Sequence, residues 1–205
     1  MLELLYIDPC PASLDLGDGA SCDRIAIALS ASRGPLPRVR PLVYITLGTA
    51  PVFNRAGNVW RTAFDAMGEF DVDVLATVGR ANDPSALGPL PPNITVEQWR
   101  DQAEVLPACS IVVCHGGAGT MLGALAHGVP VLALPHGADQ FRNAQAVEQA
   151  HAGIACDATE TSAIHAGIEA LLNDPSYRDS AQHIASEIAA MPTPSAVVSA
   201  LEAIA

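Results

Sequence analysis

The sequence predicts an α/β fold, a parallel sheet of about six strands with helices on both faces. Three observations predict it. From Leu42 onward, short apolar runs alternate with longer segments whose apolar residues recur at helical spacing. Half of all residues are apolar and only 16% are charged, which suits a chain with a large core. The first of these runs is bounded by Pro41 and Gly48, residues that punctuate turns. At 205 residues, such a chain buries about 70% of its unfolded surface.

Residues 1–41 stand apart. LLYIDPCPASLDLGDGASCD and SRGPLPRVRP are dense in Pro, Gly, Ser and Asp, with RIAIALS between them as one short candidate strand. So long an irregular opening is unusual in a compact domain, and the segment is expected to be an arm connecting to an upstream unit that is absent. Residues 42–205 form the predicted domain.

The elements follow in order. LVYITL (42–47), bounded by Pro41 and Gly48, has the length and β-rich content of a buried strand. NRAGNVWRTAFDAMGEF places Val59, Ala63, Phe64 and Met67 on one helical face. DVDVLATVG and NITVEQW are the next strands, separated by the polar loop NDPSALGPLPPN. AEVLPAC is a short helix and SIVVCH a fourth strand. Gly117 to His127 is predicted helical, with Leu122, Leu125 and Ala126 turned inward, and VPVLALP is a fifth strand. ADQFRNAQAVEQAHAG is an amphipathic helix for which Gly153 is the expected stop. IAC is the sixth strand, and TSAIHAGIEALLN, SYRDSAQHIASEIAAM and PSAVVSALEAIA are three closing helices.

Charge and chemistry exclude several classes. The net charge of −12 argues against nucleic acid or an anionic membrane as partner. No apolar run approaches the ~18 residues of a membrane span, and without a basic-then-apolar opening no signal sequence is expected. Five scattered cysteines without CxxC spacing favour reduced thiols and a cytoplasmic setting over disulfides or zinc. All ten basic residues are arginine, so phosphate-loop, kinase and Schiff-base lysines are excluded.

Ligands on a parallel sheet sit beyond the carboxyl ends of the strands, so the loops after Leu47, Val78, Trp99, His115 and Leu134 should converge. HGGAGT opens a helix directly after a strand. Gly116, Gly117 and Gly119 would let the amides of the 117–120 turn, Ala118 and Thr120 included, approach an anion, and the helix start adds about half a positive charge. The dinucleotide pattern GxGxxG is not met, because Leu122 stands at its third glycine. His115 is either a core imidazole or a donor to a phosphate oxygen, and His136 occupies the equivalent place one strand later. Gly48 and Thr49 either form an ordinary turn or donate an amide and a hydroxyl to the same anion. Trp99 is either core or a platform for a nucleobase. Asp139 is either a helix cap or, with Gln140, a fork for vicinal hydroxyls. His127, His151, His165 and His183 are expected to be surface or packing residues.

VYITLGT, ITVEQWRDQAEVLP and VVCHGGAGTMLGALAHGVPVLALPHGADQFRNA, in this order, resemble the nucleotide-sugar half of family-1 glycosyltransferases of GT-B fold. Actinobacterial enzymes that glycosylate macrolides and aromatic polyketides are the nearest in pattern. The resemblance spans residues 42–172, and IDPCPASL resembles the family's interdomain connector. The last helix resembles the segment that packs back on the missing half. It implies a Rossmann-like donor domain with Trp99 against the base, and with Thr49, His115 and the 117–120 backbone at the diphosphate. Asp139 and Gln140 would hold the donor sugar.

The resemblance also implies an inverting transfer with no metal and no cofactor, the substrate being a dTDP- or UDP-sugar. The small-molecule acceptor and the general base belong to an N-terminal acceptor domain, in cis or on a partner chain, and the chain alone is expected to bind nucleotide without turnover. A donor subunit of a two-chain transferase and a non-catalytic nucleotide-binding module are the alternatives. Two positions depart from the family pattern. Gly123 replaces a ribose-reading glutamate of plant relatives, which favours dTDP over UDP. Asp101 replaces the proline of the W-x-P-Q stretch.

Overall fold

The computed structural model describes residues 7–8, 10–15, 23–24, 39–48 and 57–202. Near the N-terminus, β1 (Ile7–Asp8) pairs in parallel with β2 (Asp23–Arg24). Of the expected strand RIAIALS only Arg24 is described, and residues 25–30 lie outside the described residues.

The main sheet contains the six expected strands: β3 (Leu42–Thr46), β4 (Asp73–Thr77), β5 (Ile94–Glu97), β6 (Ile111–Cys114), β7 (Val131–Ala133) and β8 (Gly153–Ala155). They lie in the order β5-β4-β3-β6-β7-β8, and every neighbouring pair is parallel. Both faces of the sheet are covered, which is why the central strands are continuously apolar rather than alternating. In β3 all five residues are buried. Leu42 and Tyr44 enter one core, while Val43, Ile45 and the following Leu47 enter the other.

The first core is covered by α3 (Ala118–Ala126), α4 (Gln140–Gln149) and α6 (Ser176–Ala190), with the short α2 (Gln102–Val105) at its edge. Within α3, Leu122 and Leu125 are buried and Ala126 is partly buried. The second core is covered by α1 (Gly57–Met67) and α5 (Thr161–Asn173). Val59, Ala63, Phe64 and Met67 are buried as their spacing requires, and Trp60 joins them. The final helix, α7 (Pro194–Glu202), exposes Val198.

Residues 10–15 dock on the first core. Leu14 is buried, and the Ser13 hydroxyl and amide donate to the Glu187 carboxylate of α6 at 2.6 and 3.1 Å. Arg178 fastens the start of the same helix by donating to the carbonyls of Cys109 and Ser110, both at 3.1 Å.

Gly153 does not stop α4 as its position suggested. The left-handed residue after that helix is His151, with φ of 53°, and Gly153 is the first residue of β8. The His151 imidazole stacks on Tyr177, with centroids 4.2 Å apart, and its Nε2 lies 2.8 Å from Ser176 Oγ. Glycine is required at 153 for a different reason: a Cβ there would run into the Val131 carbonyl and the Val147 side chain.

After β5 the chain crosses to β6, on the far side of β3. The connections leaving β3 and β6 therefore diverge, and a crevice opens between them at the carboxyl ends of the strands. Thr46 is in register with Thr77 on one side and Cys114 on the other, so the strand ends are level at the crevice.

Candidate ligand-binding site

A cavity of about 590 Å³ fills this crevice. Its wall takes residues from beyond β3, β4, β5, β6 and β7, as the strand order requires. Gly48, Trp99, His115, Asp139, Gln140 and the 117–120 segment all border it. Gly116 and His136 do not: Gly116 lies against Gln140, and the His136 ring is 6.3 Å from that of His115. Thr49 lies outside the described residues.

Helix α3 starts at this cavity. Its N-cap is Gly117, which brings no side chain to bond the first amides, so the turn from Ala118 to Thr120 presents backbone N–H groups to the cavity. The glycines of this turn have separate tasks. Gly116 adopts φ of +83° and packs on the Gln140 backbone, where a Cβ would stand 3.0 Å from the carbonyl oxygen. Gly117 makes room for the His115 ring, since a Cβ would stand 2.5 Å from Nε2. Gly48, at φ +79°, does so from the opposite loop, with a would-be Cβ 2.6 Å from Cε1 of the same ring. Only Gly119 of this turn faces space with nothing within 4 Å, and there a ligand can reach the helix start.

His115 is held below the ordinary histidine pKa, first by burial and then by His136, with Asp139 opposing. Burial lowers His136 as well, against a backbone hydrogen bond at Leu134. Both imidazoles are therefore neutral at pH 7, and an incoming anion meets a hydrogen-bonding ring rather than a fixed cation.

Asp139 occupies the N-cap position of α4 without capping it. Its carboxylate accepts instead from Asn143 Nδ2 at 3.0 Å, and the same amide nitrogen donates to the Gly116 carbonyl at 2.8 Å. Asn143 thus ties the glycine turn to the Asp139 loop. Gln140 is only 2% exposed, and its Oε1 accepts from the amides of His136 and Gly137 at 2.9 and 3.1 Å. The expected carboxylate–amide fork is therefore altered, because the Gln140 oxygen closes its own loop and its Nε2 is the group left to meet a ligand.

Sequence reasoning missed the polar floor of the cavity. Tyr44 Oη lies 2.7 Å from Thr77 Oγ1, and the Thr46 hydroxyl donates to the Thr77 carbonyl at 3.3 Å. Gln102 Nε2 donates to Thr120 Oγ1 at 3.2 Å. Burial raises the Tyr44 pKa, so the phenol stays neutral. A signal was present: Tyr44 and Thr46 are polar residues two apart in an otherwise apolar strand and so share one face. At the open end, Trp99 is 47% exposed, and Asp101 caps α2 by accepting from the Ala103 amide. Asp101 has φ of −64°, the value proline imposes, so the backbone keeps a proline-compatible course there.

Among the described residues, no group of three or more His, Cys, Asp or Glu is placed to hold a metal ion, and no helix is long and apolar enough to cross a membrane.

Comparison with known proteins agrees with this architecture. Residues 61–204 match the family model described as erythromycin biosynthesis protein CIII-like, C-terminal domain. The elloramycin glycosyltransferase ElmGT of Streptomyces olivaceus is 36% identical over 79% of this chain and 41% of its own length. The L-demethylnoviosyl transferase of Streptomyces niveus is 30% identical over 96% of this chain and 54% of its own. The chain thus spans about half the length of the curated relatives it matches. The spinosyn rhamnosyltransferase SpnG, solved with thymidine diphosphate, superposes with a TM-score of 0.86 at 28% identity over 98% of this chain and 57% of that one. The same enzyme has been solved with spinosyn aglycone. With its six parallel strands arranged as in these GT-B enzymes, the chain belongs to the erythromycin biosynthesis protein CIII-like C-terminal domain family of family-1 glycosyltransferases.

Proposed function

We propose that this chain is the donor-binding domain of an inverting glycosyltransferase that moves a sugar from a nucleoside-diphosphate sugar to a small natural-product acceptor. The observation that carries it is the start of α3, where uncapped amides and a neutral His115 face one cavity past the open side of Gly119. A diphosphate fits this chemistry. Main-chain dipoles and an imidazole accommodate its charge without lysine in a chain of net charge −12, and neither metal nor other cofactor is called for. Trp99 stacks on the base, while Asp139 and the Gln140 amide nitrogen bind sugar hydroxyls.

In the transfer, an acceptor hydroxyl attacks the anomeric carbon from the face opposite the leaving group. A base takes the hydroxyl proton, and the bond from the anomeric carbon to the diphosphate oxygen breaks with its electrons passing to the nucleoside diphosphate. Donors aimed at that developing charge are worth about 10²–10³ in rate, and here they are His115 and the α3 amides. The base and the acceptor pocket lie in an N-terminal domain, supplied in cis or by a partner chain, so this chain binds nucleotide without turnover. The setting is cytoplasmic.

A thymidine donor is preferred to a uridine one. Gly123, where a ribose-reading carboxylate would stand, packs instead towards Leu106, with a would-be Cβ 3.2 Å from Cδ1. The thymidine diphosphate bound by a structural relative is consistent with that preference.

Calorimetry on the 205-residue chain with thymidine, uridine and guanosine diphosphates tests the proposal. Thymidine diphosphate should bind most tightly, and His115→Ala should weaken it while leaving the fold intact. Tighter binding of uridine diphosphate would remove the thymidine preference, and no binding of any of the three would defeat the proposal.

A further inference from the structure

Arg80 follows Gly79 in the loop after β4, and its guanidinium carbon lies 4.0 Å from the ring centroid of Trp99. The two loops involved are hydrogen-bonded together. The Val78 amide donates to the Glu97 carbonyl at 3.1 Å, extending the strand pairing by one residue. Asn82 Nδ2 then donates to the Val78 carbonyl at 2.6 Å, and Gln98 Nε2 donates to the Asn82 carbonyl at 3.1 Å. Arg80 is thereby held opposite Trp99 by its backbone. Arg100, on the other side of Trp99 in sequence, is engaged through two nitrogens by the Glu97 carboxylate.

Trp99 and Gly79 border the cavity, and Arg80 does not. The guanidinium covers one face of the ring, which leaves the opposite face for a ligand. An indole 47% exposed has little packing to fix its plane, and a planar cation against one face supplies it. The cation also draws π density towards itself, which lessens the repulsion between the open face and a second π system laid over it.

We propose that Arg80 is a positioning residue for the nucleobase, the rear layer of a three-layer stack of Arg80, Trp99 and a pyrimidine base. The proposal rests on the donor-binding function given above. It assigns Arg80 to the base and not to the diphosphate, although an arginine near an anion site in an acidic chain suggests the reverse.

The test is a double-mutant cycle on the 205-residue chain, with thymidine diphosphate and inorganic pyrophosphate as the two probes. Arg80→Ala should weaken thymidine diphosphate about two- to fivefold, the strength of a solvent-exposed cation–π contact, and leave pyrophosphate unchanged. In a Trp99→Leu background, Arg80→Ala should have no further effect. An equal loss in both backgrounds, or an equal loss for pyrophosphate, would overturn the proposal, because Arg80 would then act as a charge on the phosphates. If Trp99→Leu itself leaves thymidine diphosphate affinity unchanged, the base does not stack there, and the donor-binding function loses its base site together with the role of Arg80.

Discussion

Gly117 and His115 are matched in shape, because the volume a side chain at 117 would occupy is filled by Nε2 and Cε1 of the imidazole. The glycine-rich turn is thus built as much for its histidine as for a ligand. Gly119 is the contrasting position, with nothing within 4 Å of a would-be Cβ. Gly119→Ala adds no clash and replaces a helical glycine, so thermal unfolding should stay level or rise, by about 0.5–1 kcal/mol. The new methyl group enters the cavity at the α3 amides. Affinity for a nucleoside diphosphate should fall about 10- to 100-fold, the worth of one hydrogen bond to a charged group. An alanine variant that binds normally would show that the ligand does not approach this turn.

Gly117→Ala should behave differently. His115 must move to admit the methyl group, and nucleotide affinity should fall together with the unfolding midpoint, by about 1–3 kcal/mol for an overpacked site. Chemical denaturation and calorimetry on the same preparation read both effects.

Proton uptake should accompany binding. Burial and His136 hold the His115 pKa below its ordinary value in the empty cavity, and a diphosphate beside the ring raises it. Between the empty and the bound value, complex formation takes up a proton, and affinity improves as pH falls through that window. Calorimetry in two buffers of different ionisation enthalpy measures the uptake. His115→Gln should retain only the part that belongs to the phosphate itself.

The same shifts bear on stability with the opposite trend. His115, His127 and His136 are all held below 6.5 when folded, so the unfolded chain binds protons more readily. Stability contributed by these groups is present above pH 6.5 and is lost as pH falls towards the folded values. Denaturant midpoints measured from pH 7.5 to 5.5 should decline, and a His136→Gln chain should decline less steeply.

Much of this architecture is legible in the sequence, and the exceptions are instructive. The central strands of the main sheet can be found because both faces are buried and their runs are apolar, as in Ile111–Cys114. That the loops after the strands gather at one end of the sheet follows from strand alternation, whereas the place of the crevice between β3 and β6 depends on strand order. What stays hidden depends on pairing. Tyr44 and Thr77 are 33 residues apart and meet only because β3 and β4 are parallel neighbours in that register. Asn143 cannot be seen to tie Gly116 to Asp139 until α4 is placed beside the glycine turn. Gly153 misleads for a local reason: a glycine after a helix suggests a stop, but here His151 takes the left-handed conformation, and Gly153 serves the close approach of Val131.

The most direct measurement is a crystal structure of this chain with thymidine diphosphate. Phosphate oxygens should lie on the amides of Ala118–Thr120, within hydrogen-bonding distance of His115, and thymine on the open face of Trp99. A diphosphate seated elsewhere, or a cavity that stays empty at saturating nucleotide, would rule out donor binding at this site.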